Sequence, residues 1–430
     1  MKNKNLARLI LTLILAAAIH PVAHAKPLAC SRLHSVVSVA SIIEKPPFEQ
    51  WLIWEQEANF AQFRKSRLPI QVPIAHVDPA TVQTTFMRSA SRNLRQFILN
   101  SGKFRWFKHT FNRYPKLPHF NDPAVETMPA YLTASRSVAI QLGEEYYTLK
   151  MGTNFPHGPK GEMQTAKAFT AEDIKDGINR MQYIEKVDAE IGLDPELLLA
   201  KEVAMVADKQ SGEGYLFRDL SFMKSGNYYL PALSIPYVGR EIAEINRMPA
   251  DSFWKKAYAE LLGRSKAKLL LRYAAQMETP NSQNMLIELD KKLKPTGRLV
   301  FRDISDTVLI TGVAEGLGEF EALVKDHTEG VENSEKLQPF WDNSAWRFDE
   351  AGDKSFKANT LIEWGAAHDL AYKQEIEKAL SVDLSQFASI DANPEFDRFM
   401  ASPILQRKLK KYRESQKELF RRKSAADRAG

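Results

Sequence analysis

Cysteine is nearly absent from this chain, which excludes one common way of stabilising an exported protein. The 430 residues contain a single cysteine, Cys30, so no disulfide can form within the chain. Long apolar runs are also absent beyond the first 25 residues, so no later segment is expected to cross a membrane. The formal net charge is only +6, and Lys2, Lys4 and Arg8 contribute three of those charges. This mild balance does not indicate a nucleic-acid partner.

Signatures of several enzyme classes are missing too. Beyond the first 25 residues, the histidines show no His-x-x-x-His or His-Glu pairing, so this part of the sequence offers no zinc site of the usual spacing. A Gly-x-Ser-x-Gly elbow, which would present a nucleophilic serine, does not occur. The chain also has neither a Walker A loop nor a dinucleotide-binding fingerprint. Hydrolases and P-loop enzymes are therefore disfavoured.

The N-terminus has the pattern of a bacterial secretory signal. Three basic residues precede an apolar run from Leu9 to Ile19, and the small-residue motif Ala23-His24-Ala25 follows. We expect cleavage after Ala25 and export to the periplasm. An exported chain without disulfides fits that compartment. An uncleaved membrane anchor is the alternative.

Two apolar segments predict a first β-hairpin. Residues 137–142 and 146–151 alternate in the manner of strands, and Gly143-Glu144-Glu145 joins them. Lys150 lies near the end of the second strand. A lysine in this position can reach a phosphate as a point charge. A lysine that protects a sheet edge is the alternative interpretation.

A second hairpin is predicted between Asn284 and Asp303. The apolar segment 285–289, a polar turn and the apolar segment 298–301 lie between these two residues. The hairpin brings an amide and a carboxylate to the same end of two paired strands. Such oxygen ligands suit Mg²⁺, which takes one or two protein groups in nucleotide sites and completes its shell with phosphates and water. Ordinary Asx turns or capping are the alternative.

The remaining pattern is largely helical. Apolar residues at helical spacing predict four helices, over residues 170–190, 196–207, 251–277 and 403–423. The last of them is dense in Lys and Arg. A solvated surface helix is the usual reason for such a charge run, and a partner or an anionic lipid surface is the alternative.

The order of these features resembles that of protein-kinase-like enzymes. There a strand lysine precedes a helix glutamate, a loop asparagine and a metal-binding aspartate. Lys150, Glu202, Asn284 and Asp303 would fill those positions here. However, Thr279 stands where the catalytic aspartate of the loop would be, so a phosphotransferase would lack its base.

A second family resemblance covers roughly residues 125–310. The segments Ala134-Ser135-Arg136-Ser137 and Leu149-Lys150 resemble a Ser-x-Arg-Thr motif and a Leu-Lys strand of the NRPS-independent siderophore synthetases of the aerobactin-synthetase type. Thr279 to Asn284, followed by Phe301-Arg302-Asp303, resembles the family's Glu-x-His-x-Gln-Asn motif and its Arg-Asp strand end. Tyr215 to Asp219 is similar to a family segment that contains Arg-Glu.

The resemblance implies a reaction and a set of site residues. Such enzymes use ATP and Mg²⁺ to adenylate a carboxylic acid and then pass the acyl group to an amine or hydroxyl. Lys150, Arg136 and Asn284 would be catalytic, and Asn284 and Asp303 would bind Mg²⁺. The residues that would contact ATP are Ser135, Arg136, Ser137, Lys150, Asn281, Asn284 and Asp303.

The chain also departs from the family motifs. Asn281 stands in place of the family's histidine, so an imidazole of the site is missing. Ala134 replaces the first serine of Ser-x-Arg-Thr, and Ser137 replaces its threonine. A non-catalytic periplasmic binding protein that kept the fold is therefore a further alternative.

The fold that the resemblance implies is α+β, with a strand-rich ATP-binding lobe and a helical palm domain around a central cleft. We expect a signal peptide (1–25), an N-terminal helical or irregular region (26–125), the nucleotide-binding lobe (126–240) and the palm with the Asn284/Asp303 hairpin (241–430). The partners would be a small-molecule carboxylic acid and an amine or hydroxyl co-substrate. The sequence leaves a homodimer open.

Overall fold

The structure is a computed structural model that describes the greater part of the chain. The described residues are 39, 44–58, 68–110, 112, 117–134, 136–152, 171–277, 282–304, 307–310, 313, 360–388, 390 and 393–429. All of them belong to one unit, Val37–Gly430. The predicted signal peptide, Ser135, Thr279 and Asn281 lie outside the described residues.

Nine strands form the largest of the three described sheets. They are β1 (Ile70–Val77), β2 (Val82–Phe86), β3 (Leu99–Asn100), β4 (Lys103–Phe107), β5 (Glu126–Leu132), β6 (Ser137–Leu142), β7 (Glu145–Met151), β9 (Glu202–Asp208) and β10 (Gly214–Asp219). Their order is β2-β9-β10-β7-β6-β5-β1-β4-β3, and all the described pairings are antiparallel.

The large sheet curls on itself. Although four strands separate β10 from β4, the rings of Tyr215 and Trp106 meet with their centroids 5.5 Å apart. The Tyr215 hydroxyl also donates to the carbonyl of Arg105, at 2.5 Å. Phe107 and Phe217 complete an aromatic core inside the curl. Strands of strong right-handed twist favour such curling, and the buried aromatic rings stabilise it.

A smaller sheet contains the second predicted hairpin. Its order is β11 (Tyr228–Pro231), β13 (Met285–Leu289), β14 (Pro295–Phe301) and β8 (Leu197–Leu199), with β8 parallel to β14. Two short strands, β12 (Ala275–Met277) and β15 (Thr307–Leu309), form a separate pair. The hairpins β6–β7 and β13–β14 confirm both hairpin predictions.

The helices surround these sheets. They are α1 (Pro47–Ala58), α2 (Arg92–Ile98), α3 (Ala171–Ile191), α4 (Ile235–Ile245), α5 (Ala250–Trp254), α6 (Leu261–Tyr273), α7 (Thr360–Leu380), α8 (Pro394–Met400) and α9 (Pro403–Ala429). A π-helical segment, Lys255–Glu260, joins α5 to α6. The mixture of helices and antiparallel sheets confirms the predicted α+β class. None of the helices in the described part of the chain is long and apolar enough to cross a membrane.

Two helix predictions need correction. Residues 196–207 form β8 and β9 and not a helix, and every residue of β9 is buried between β2 and β10. Short apolar stretches of this kind have no periodicity that separates a buried strand from a helix. The helix predicted to reach residue 277 ends at Tyr273, since Ala274 adopts a left-handed conformation (φ 49°) and the chain then enters β12.

The region 26–125 also differs from its expected helical or irregular character. It supplies β1 to β4, nearly half of the large sheet. Proline and aromatic residues obscured these strands in the sequence; Pro73, for example, lies within β1 opposite Thr127. The domain boundaries given above remain predictions.

The close approach of β10 to β9 predicts a glycine requirement. A Cβ on Gly214 would lie 2.1 Å from the carbonyl oxygen of Val206, so the backbone would have to shift. We expect Gly214→Ala to lower the free energy of unfolding by about 2 kcal/mol, measured by urea denaturation. Gly152→Ala is the matched control, because a Cβ there would meet nothing within 4 Å. Equal stability of the two variants would contradict this packing.

Candidate active site

A carboxylate that joins the two larger sheets forms the centre of the candidate site. Asp303 follows β14, and its Oδ1 accepts a hydrogen bond from Lys150 Nζ at 2.7 Å. The same oxygen accepts from the Arg218 guanidinium, also at 2.7 Å. Lys150 lies on β7 and Arg218 on β10. One carboxylate oxygen therefore links two strands of the large sheet to the end of the β13–β14 hairpin.

Strand register places the two cations side by side. Lys150 pairs with Leu216, and Arg218 lies two residues further along β10. Because side chains at i and i+2 of a strand point to the same face, Lys150 and Arg218 leave the sheet on the same side. Arg136 lies next to them, since its carbonyl accepts from the backbone N–H of Met151 at 2.8 Å. Its charge also acts on Asp303.

Glu202 completes the cluster from β9. Its Oε1 accepts from Arg218 at 3.0 Å, and its side chain is fully buried. Among these five ionisable side chains, Arg136, Lys150 and Arg218 carry three positive charges against two negative ones. A partly buried group of this kind attracts an anion, and arginine and lysine are the usual partners of phosphate.

The protonation of the cluster follows from its contacts. Burial alone would raise the pKa of Asp303, but the charges of Lys150 and Arg218 hold that pKa well below its usual range. Burial would lower the pKa of Arg218, but the carboxylates of Asp303 and Glu202 outweigh this and raise it. Asp303 and Arg218 are therefore ionised at neutral pH.

Arg302 fixes the backbone that carries Asp303. Its N–H donates to the carbonyl of Asn284 at 2.9 Å, and its Nε donates to the carbonyl of Gln283 at 2.6 Å. Its terminal nitrogen donates to Glu55 Oε1, also at 2.6 Å. Asp303 itself adopts a left-handed backbone conformation (φ 65°), which aspartate tolerates better than most residues other than glycine.

The structure brings most of the predicted site residues into one region. Arg136, Lys150 and Asp303 interact, and Asn284 adjoins them through Arg302. Ser137 lies opposite Lys150 in the β6–β7 hairpin. The roles assigned to these residues in ATP binding, metal binding and catalysis remain predictions.

Sequence reasoning did not place Arg218 in the site. The signal was the Arg218-Asp219 pair, which resembled a family segment, but nothing local indicated that its side chain reaches Asp303. Glu202 was considered only as the helix glutamate of a kinase-like enzyme. It lies on a strand, and its described hydrogen bond is with Arg218.

The donor set is compatible with a magnesium ion shared with phosphates. No group of three or more His, Cys, Asp or Glu side chains capable of holding a metal occurs among the residues that the structure describes. Mg²⁺ in a nucleotide site needs only one or two protein ligands. Asp303 offers one carboxylate. Asn284, a buried residue whose carbonyl accepts from the backbone N–H of Arg302, offers an amide.

Comparisons with known structures show that this fold is similar to that of aerobactin synthetases. No protein-family model and no curated protein matches the chain by sequence. Solved structures do match. Aerobactin synthetase IucA from a hypervirulent pathotype of Klebsiella pneumoniae aligns with a TM-score of 0.52 at 12% identity, over 79% of this chain and 70% of that one.

Two further structures from the same source agree with this result. ATP-bound IucA gives a TM-score of 0.50 at 11% identity, over 72% of this chain and 62% of that one. Aerobactin synthetase IucC gives 0.51 at 11% identity, over 86% and 73% of the two chains. At identities this low, the TM-scores show a similar fold and nothing finer. None of these three structures supports the protein-kinase-like alternative.

The ion pairs of Asp303 predict a pH-dependent contribution to stability. At pH 7 we expect Asp303→Asn to lower the free energy of unfolding by about 3 kcal/mol, because Lys150 and Arg218 lose their buried counter-charge. The folded-state pKa of Asp303 is depressed. The wild-type advantage is therefore complete above the unfolded pKa of about 4, declines as the pH falls below that value, and is lost once the pH has passed the folded pKa.

Urea denaturation at pH 7 and at pH 3 measures this difference. The gap between wild type and Asp303→Asn should be smaller at pH 3. Glu144→Gln, at the exposed turn of the β6–β7 hairpin, is the control and should match wild type at both values. A gap that stays constant or widens at pH 3 would contradict the assigned ion pairs.

Proposed function

We propose that this protein is an ATP- and Mg²⁺-dependent ligase that adenylates a carboxylic acid and transfers the acyl group to an amine or hydroxyl. The cluster of Arg136, Lys150 and Arg218 around Asp303 is the observation that carries the proposal. The fold shared with aerobactin synthetases, one of them solved with ATP, supports the same class of reaction.

The cations would bind and polarise the nucleotide phosphates. In the first step, a carboxylate oxygen of the substrate forms a bond to the α-phosphorus, and the bond to the bridging oxygen of the β-phosphate breaks, which releases pyrophosphate. Negative charge grows on the phosphate oxygens during this exchange. Side chains already held in place by strands stabilise that charge without having to reorganise. Lys150, Arg218 and Arg136 would have this role.

Mg²⁺ would neutralise the phosphate charge and act as a Lewis acid on the reacting phosphate. Asp303 and Asn284 are the residues that would hold it. Asp303 also keeps Lys150 and Arg218 close together before any nucleotide arrives, through bonds of 2.7 Å to each.

The missing histidine does not prevent the adenylation step. A carboxylic acid is already ionised at neutral pH, so its attack on the α-phosphorus needs no general base. A base would help in the second step, when an amine or hydroxyl attacks the acyl carbon, loses a proton and displaces AMP. An asparagine such as Asn281 cannot take that proton. We therefore expect the amine or hydroxyl co-substrate to transfer its proton to a basic group of its own or to water.

The predicted signal peptide sets a second candidate function. We propose that the chain is exported to the periplasm, where the same three cations would bind a carboxylate-rich small molecule without turnover. Arginine and lysine side chains are the usual partners of phosphate and carboxylate groups, so the ligand would be anionic in either case. The two candidates differ in their response to ATP.

Pyrophosphate release with ATP, Mg²⁺, a carboxylic acid such as citrate and hydroxylamine is the direct test. We expect activity in wild type, and a decrease in kcat/KM of about 100-fold in both Lys150→Met and Arg218→Met. Each change preserves a long side chain but removes the charge that the phosphates would contact. Lys103→Met, on an exposed lysine of β4, should keep full activity.

The remaining outcomes separate the candidates. One outcome is that calorimetry shows citrate binding and that ATP does not change this binding. If no pyrophosphate is released either, the result would favour a binding protein over a ligase. Release of ADP would indicate a kinase. Full activity in Lys150→Met would remove this cluster from the reaction.

A further inference from the structure

Helix α1 ends with two polar side chains in the protein interior. Glu55 and Gln56 are each only 2% exposed. A buried carboxylate or amide is unfavourable unless its hydrogen bonds are made. Both residues make such bonds, and each reaches a different part of the candidate active site.

Gln56 contacts the part of the site that contains Arg136. Its Nε2 donates to the carbonyl of Leu132 at 2.9 Å. Leu132 ends β5, and the tight turn after it contains Arg136. Thr133 closes that turn, because its N–H and its hydroxyl both donate to the carbonyl of Ser137, each at 3.0 Å. Gln56 therefore holds the base of the turn that presents Arg136.

Glu55 contacts the part of the site that carries Asp303. Its Oε1 accepts from the Arg302 guanidinium at 2.6 Å. Arg302 in turn binds the carbonyls of Gln283 and Asn284 and precedes Asp303 directly. The Glu55 carboxylate is thus connected to Asp303, the centre of the site, through Arg302.

Packing holds the helix between the two sheets. Trp51, which is fully buried, belongs to a hydrophobic cluster with Ala139 of β6 and Leu286 of β13. The hydroxyl of Ser234 donates to the carbonyl of Trp54 at 2.9 Å. Apolar packing fixes the place of α1 but tolerates small shifts in its register. Hydrogen bonds from Glu55 and Gln56 define that register, because their geometry is narrow.

We propose that Glu55 and Gln56 are positioning residues. Together they set the spacing between the turn that contains Arg136 and the strand end that carries Asp303. Consecutive helix residues point about 100° apart, so one turn of α1 can hold two different elements at once. The inference rests on the proposed function for its catalytic meaning. The spacing itself is a property of the protein without ligand.

Reactivity of Lys150 reports this spacing directly. In wild type Lys150 is buried and bound to Asp303, so an amine-acylating reagent should modify it slowly. If Asp303 moves away, Lys150 should become accessible. We expect Glu55→Ala to raise the acylation rate of Lys150 about tenfold, as measured by peptide mass spectrometry. Asp303→Asn is the positive control. Glu49→Gln, an exposed glutamate of the same helix, should match wild type.

A double variant separates positioning from folding. Glu55→Met with Arg302→Met replaces a buried ion pair by apolar side chains of similar length, which often preserves stability. It also removes the bond from Arg302 Nε to the carbonyl of Gln283. This protein should unfold near the wild-type temperature and still show the faster acylation of Lys150. Gln56→Leu should increase the KM for ATP more than it lowers kcat, since Arg136 loses its support.

The two proposals can fail separately. Absence of pyrophosphate release in wild type would overturn the ligase and would leave the acylation test intact, because that test needs no nucleotide. Wild-type acylation rates of Lys150 in Glu55→Ala and in the folded double variant would overturn the positioning role, whether or not the protein is a ligase.

Discussion

The structure around the candidate site depends on one carboxylate oxygen, Oδ1 of Asp303. It receives a hydrogen bond from Lys150 and another from Arg218, so it connects β7 and β10 of the curled sheet to the end of the β13–β14 hairpin. Without this anion, two cations on the same face of neighbouring strands would repel each other in a medium that screens charge poorly. The ion pair therefore stabilises the junction of the two sheets and also keeps Lys150 and Arg218 together.

This junction explains which parts of the site could be predicted from the sequence. Both hairpins follow from alternation and turn residues within about 20 positions, and they place Lys150 and Asp303 at strand ends. Arg218 reaches Asp303 across 85 positions, and Arg302 reaches Glu55 across 247. Contacts of that range are decided by which strands and helices become neighbours, and no local pattern contains that information.

The error at Glu202 has the same origin. Its strand, β9, is buried along its whole length and lies between β2 and β10 in the large sheet. A strand buried on both faces loses the alternation that would identify it, so helix and strand are not distinguished by the sequence. The misassigned element changed the interpretation of function as well. A glutamate on a helix beside Lys150 resembled a kinase, whereas a glutamate on β9 supports Arg218.

Two of the cations in this cluster have carboxylate partners within it. Lys150 and Arg218 bind Asp303, and Arg218 also binds Glu202. Buried charges of this kind are stable when they are paired, because an uncompensated buried charge has a large desolvation cost. Arg136 adds a third positive charge that acts on Asp303, at the turn supported by Gln56. In the proposed ligase these cations would bind the phosphates, whereas Asn281 in place of a histidine would affect proton transfer, so anion binding and acyl transfer would be separate properties of the proposed site.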